Sequence, residues 1–168
     1  MAHTDLNWLP APPDDFRQLC KTVEDADPVG AEIARLARHA LNLNQLTSLS
    51  NAMDRVNEKI DSMVPLTPFR LGLVGNSTTS LLGPAIRGSG ARHGLAVEIF
   101  EAPYDQAIQA ALDPGSELNA AKPDAVLIAL DHRILQIPEN IRDEAGATAS
   151  VNAALDQVRT IRDGISTA

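Results

Sequence analysis

Phe69-Arg70-Leu71-Gly72-Leu73-Val74-Gly75-Asn76-Ser77-Thr78-Thr79 is an apolar run that breaks off, at a glycine, into an amide and three hydroxyls. Rich in Leu and Val and bounded by Pro68 and Gly75, residues 69–75 predict a buried strand, and the hydroxyl-rich turn after them predicts a helix start. Two runs of the same kind follow, at 95–100 and 125–130. Between the first two lies a weak helix over 79–93, loosened by Gly83, Pro84, Gly88 and Gly90. Between the second and third lie a good helix over 105–112 and a turn at Asp113-Pro114-Gly115. Strands separated by helical matter in this way are what βαβ crossovers produce, so the expected fold is α/β with a parallel sheet covered on both faces. In such sheets ligands sit beyond the carboxyl ends of the strands, which makes Asn76, Ser77 and Thr78 the first site candidates.

Working upstream, Pro65-Leu66-Thr67-Pro68 is a linker from a helical N-terminal region. Trp8-Leu9-Pro10-Ala11-Pro12-Pro13 predicts an extended arm laid over the surface, with Trp8, Leu9 and Phe16 as apolar anchors. A short helix is expected over 16–23. A second begins at Asp27-Pro28 and carries Ile33, Leu36, Ala37 and Ala40, and a third, over 44–62, carries Leu46, Leu49, Met53, Val56 and Ile60 at three- and four-residue spacing. The last two form a hairpin joined through 41–44. His39, with no second ligand at metal spacing, reads as structural. The organisation expected is an arm and helical hairpin over 1–64, then an α/β domain over 65–168.

Downstream, a long helix over about 148–165 carries Val151, Ala154, Leu155, Val158, Ile161 and Ile165 as one stripe. A crossover helix of this kind normally leads to another parallel strand. The α/β unit is therefore expected to be truncated, with an open sheet edge through which copies self-associate, or which a partner or the N-terminal helices cover.

Composition narrows the function. At 44% hydrophobic and 21% charged residues the chain is globular, and aromatic residues, at 3%, are too few for stacking platforms. Lys and Arg number 14 against 22 Asp and Glu, and the formal charge of -8 argues against nucleic acid and against anionic membrane surfaces as partners. Cys20 is the single cysteine, and no basic and apolar leader pattern stands at the N-terminus, so a cytoplasmic protein is expected.

Several phrases gain meaning in combination: Trp8-Leu9-Pro10, Leu43-Asn44-Gln45-Leu46, Leu66-Thr67-Pro68-Phe69-Arg70, Glu101-Ala102-Pro103-Tyr104-Asp105-Gln106, and Ala129-Leu130-Asp131-His132-Arg133. Together they resemble the N-terminal region of FkbH-like proteins, assigned to subfamily IIIC of the haloacid-dehalogenase superfamily. The resemblance implies an SGNH-hydrolase-like, flavodoxin-like three-layer fold, here with three strands in order 2-1-3. It also implies a haloacid-dehalogenase-like domain following it, and a role in loading a glyceryl unit onto an acyl carrier protein for polyketide assembly. The partners it implies are therefore an acyl carrier protein or that C-terminal domain.

Departures from the family pattern are equally informative. Such a catalytic domain uses an Asp-x-Asp-x-Thr or Ser motif with magnesium, and neither form of that motif occurs here. No cofactor is expected in this chain, and magnesium would belong to the other domain. Gly75-Asn76-Ser77 is similar to the SGNH block Gly-Asp-Ser, with Asn for Asp and Ser77 at the nucleophile position. Ala129-Leu130-Asp131-His132 falls where a Gly-x-Asn-Asp block would lie and lacks its oxyanion-binding Asn. Strand order 2-1-3 would bring Ser77 near Asp131 and His132, which makes Ser77 and His132 the candidate catalytic pair. Asn76, Thr78, Thr79, Tyr104 and Asp131 are the candidate ligand-binding residues. The competing reading is that Asp131 and His132 cap the strand end while Ser77, Thr78 and Thr79 cap a helix. Two functions stay open: an auxiliary domain not active alone, and a small SGNH-type esterase using Ser77.

Overall fold

The computed structural model describes residues 6–56, 63–77, 79, 81–135 and 143–165. Thr78, Ile60 and the 57–62 end of the third expected helix lie outside the described residues. The elements are α1 (Phe16–Lys21), a 3-10 turn (Val23–Asp25), α2 (Val29–Ala37), α3 (Leu43–Val56), β1 (Thr67–Gly75), α4 (Leu82–Arg92), β2 (Leu95–Glu101), α5 (Ala107–Leu112), α6 (Glu117–Ala121), β3 (Ala125–Ala129) and α7 (Glu144–Gly164). The three strands form one parallel sheet in the order β2-β1-β3, as expected. β1 and β3 run in register from Leu71 opposite Ala125 to Gly75 opposite Ala129. Among the described residues no helix is long and apolar enough to cross a membrane.

Two compact units make up the chain: residues 1–69 with 80–98, and residues 70–79 with 99–168. In the first, Phe16, Ile33, Leu36, Leu49 and Met53 are fully buried in one apolar cluster. Gly30 is required there, because a Cβ at that position would come within 2.0 Å of the Met63 carbonyl oxygen. Arg87 on α4 reaches back to α3, donating to Ser50 Oγ at 3.1 Å and pairing with Asp54. The proline-rich arm is tied down through its backbone, the Ala40 N–H donating to the Pro10 carbonyl at 2.9 Å. Phe16 is its apolar anchor; Trp8 is 70% exposed and instead faces the Arg92 guanidinium, 6.0 Å from the ring centre. Arg92 also donates to the carbonyls of Ala37 and His39 at 2.8 and 3.1 Å, and so closes the end of α2. His39 Nδ1 lies 3.0 Å from the Leu36 carbonyl oxygen, a structural contact.

The core of the second unit joins Val74, Ala102, Ala107, Ala110, Ala111, Leu118, Ile161 and Ile165. Small residues on α5 let α7 lie close against it. At Gly72 a Cβ would meet the Leu118 side chain at 2.7 Å, so this glycine lets α6 approach β1. The sequence reading does not separate α6 from the turn before it. Ser116 makes the helix by accepting from the Asn119 N–H at 3.1 Å and donating to the Ala110 carbonyl at 2.8 Å. α7 starts four residues before its expected position because Asp143 caps it, accepting from the Gly146 N–H at 2.6 Å. Its stripe is only partly buried: Ala154, Ile161 and Ile165 are covered, while Val151 and Leu155 are about half exposed.

Candidate functional site

Because Gly75 and Ala129 are register partners at the last paired position of β1 and β3, the two chains leave the sheet side by side. Asn76 and Asp131 then meet in a reciprocal pair. Asn76 Nδ2 donates to Asp131 Oδ1 at 2.7 Å, and the Asp131 N–H donates to Asn76 Oδ1 at 2.9 Å. Arg133, two residues on, folds back onto the same carboxylate. Its N–H donates to Oδ1 at 2.9 Å, its Nε to Oδ2 at 2.9 Å, and its terminal nitrogen lies 2.6 Å from Oδ2.

This set of donors decides the electrostatics. The Asn76 amide, then the Arg133 side chain and N–H, hold the Asp131 carboxyl down from 3.8 to about 2. The Arg133 guanidinium is correspondingly raised by Asp131, with a minor contribution from Tyr104, which is exposed in the loop after β2. A carboxylate that is engaged by four donor groups and ionised down to about pH 2 is a positioning group and a poor general base.

Ser77 and His132 follow the pair directly in the chain and are both exposed. No hydrogen bond joins them among the described residues. Thr79 is buried, 5% exposed, and its Oγ1 has no hydrogen-bond partner; its methyl lies 3.2 Å from where a Cβ on Gly75 would stand. The structure thus gathers Asn76, Asp131 and Arg133 in direct contact, with Ser77, Thr79 and His132 on the adjoining turns. Arg133 is the residue that the sequence reading passes over, although a carboxylate followed two residues later by arginine in a turn is a local ion-pair signal. Among the described residues no three His, Cys, Asp or Glu side chains come together to hold a metal. The only Asp-x-Asp of the sequence, Asp25-Ala26-Asp27, is followed by Pro28-Val29, with both aspartates exposed, Asp25 ending the 3-10 turn and Asp27 between it and α2.

A parallel sheet in the order β2-β1-β3, with polar side chains gathered beyond the carboxyl ends of two adjacent strands, defines the class of open α/β domains. Residues 70–163 match the FkbH N-terminal domain, and the chain belongs to that family. Among solved structures it is similar to the N-terminal part of the protein BF1531 from Bacteroides fragilis, described as containing a phosphatase domain complexed with Mg. The identity is 25% and the TM-score 0.51, over 68% of this chain and 30% of that one. The chain thus spans less than a third of the length of that relative. No curated protein matches it.

Proposed function

We propose that this chain is an SGNH-like auxiliary domain of an FkbH-like protein. It acts through contact with an acyl carrier protein or a C-terminal haloacid-dehalogenase-like domain of subfamily IIIC, in the loading of a glyceryl-type unit for polyketide assembly. Magnesium and the phosphoryl chemistry are assigned to that other domain, because the Asp-x-Asp-x-Thr or Ser motif is not in this sequence. The observation that carries the reading is the Asn76–Asp131–Arg133 network. The acid at the strand end is engaged in tying two loops together, and among the described residues no hydrogen bond joins Ser77 to a base. A cytoplasmic setting is part of the same reading.

Hydrolysis of p-nitrophenyl acetate and butyrate by the chain and by Ser77→Ala tests this. Both proteins are expected to hydrolyse the esters at the same background rate, and an isotope-labelled acyl carrier protein is expected to show shifts on titration with either. Ester hydrolysis that Ser77→Ala abolishes would overturn the auxiliary reading in favour of a small esterase.

A further inference from the structure

We propose that a hollow at the carboxyl end of β2 is a binding site for a small organic ammonium ion with a compact apolar body. The cavity is about 260 Å³. Its floor is apolar and buried, made by Ala102, Ala110 and Leu118 at 3%, 6% and 1% exposure. Three exposed carboxylates, Glu101, Asp113 and Glu117, stand at its rim, and none is in an ion pair with a described residue. The α5–α6 wall is fixed from behind, since Ser116 Oγ donates to the Ala110 carbonyl and Asn119 Nδ2 donates to the carbonyls of Ala111 and Asp113. The cavity therefore exists before any ligand arrives.

Size and charge select the ligand class. Pockets for drug-sized molecules run from about 300 to 1,000 Å³, so this one takes a body of roughly ten non-hydrogen atoms. The apolar floor lowers the local dielectric, so rim charges of one sign focus a negative potential into the opening. An apolar body with a cationic head satisfies floor and rim together. A neutral isostere satisfies the floor alone, and an anion is repelled by the rim and by the net charge of -8.

The probes are 2-phenylethylamine, 2-phenylethanol and phenylacetate, titrated into the isotope-labelled chain and followed by amide shifts. The amine is expected to shift the amides of Ala102, Ala110 and Leu118 and to bind up to about fivefold more tightly than the alcohol, a preference of the size that exposed charge pairs support. Phenylacetate is expected not to bind. The double variant Glu101→Gln/Glu117→Gln should remove the preference for the amine while keeping weak binding of both, and Gln109→Trp, a substitution at an exposed rim position, should block both. If Gln109→Trp does not fold, Gln106→Trp takes its place at the same rim. Equal affinity for amine and alcohol, amine binding that survives the blocking variant, or no amine binding at millimolar concentration would each overturn the proposal.

Discussion

Replacing Asn119 removes a buried amide on which several backbone carbonyls of the second unit converge. The side chain is 4% exposed, and its amide donates to the Asp113 and Ala111 carbonyls at 2.8 and 2.9 Å, with longer approaches to Ala110 at 3.4 Å and Gly164 at 3.5 Å. The first three carbonyls belong to the end of α5 and the turn after it, and Gly164 ends α7, places where backbone acceptors lack intrahelical partners. Asn119→Leu keeps the branching of the side chain, at a larger volume, and removes the donors. The Asp113 carbonyl keeps the Ser116 N–H at 3.1 Å, so one neutral hydrogen bond of ~1 kcal/mol is lost there, and the Ala111 carbonyl deprived of its donor costs ~1–3 kcal/mol, giving an expected destabilisation of about 2–4 kcal/mol. For a chain of this length that lowers the melting temperature by roughly 5–15 °C. Asn119→Asp preserves the shape but turns a carboxylate toward carbonyl oxygens. It is expected to be the least stable variant at neutral pH and to recover in part on acidification, as the protonated acid regains one donor. Thermal and urea melts followed by circular dichroism measure both. An Asn119→Leu protein within ~0.5 kcal/mol of the parent would refute the reasoning, because surface-like substitutions fall in that range.

Asn76→Ala removes the largest contribution holding Asp131 ionised, so in a carboxyl-carbon titration Asp131 should move upward from about 2 toward its ordinary value. The sign follows from linkage. A carboxyl depressed in the folded state contributes stability that is fully present above its unfolded value of 3.8 and is lost as pH falls through about 2, so the variant should lose that contribution at higher pH than the parent. An unmoved Asp131 would show that Arg133 alone sets it. Cys20 gives the opposite case: burial pushes its thiol from 9.0 up to about 11, against a smaller lowering pull from Arg55. Its contribution is present below pH 9 and is lost as pH rises toward 11. The native thiol should resist Ellman's reagent at neutral pH and react only on unfolding, and rapid native labelling would contradict the burial of α1.

Strand identity and order were legible because they depend on run length and spacing. Phe69 to Gly75, Leu95 to Phe100 and Ala125 to Leu130 each read as strand, and the observed strands differ by two residues at most at either end. α6 was not legible for the converse reason. At five residues it is too short to show a period, and it owes its existence to one serine whose hydroxyl bridges to α5. The position of Trp8 followed a third logic. Composition marks it as an anchor, but an arginine three helices away offers its ring a cation and leaves most of it wet.

At the site, the sequence marks Asn76 by its place after a strand and by its departure from a Gly-Asp-Ser pattern, and the structure supplies the physical reason for the asparagine. The residue at 76 must face the carboxylate of Asp131 at 2.7 Å and must also accept from the Asp131 N–H. An amide does both, because it carries a donor and an acceptor on one planar group. An aspartate at 76 could accept but not donate, and it would set two carboxylates in contact, where one must take up a proton to relieve the repulsion. Asp131 in turn arrives from 55 residues downstream, through strand register that no local motif encodes. The asparagine and the distant aspartate therefore form one unit. With Arg133 closing the free side of the carboxylate, that unit fixes where the two chains leave the sheet, next to Ser77 and His132.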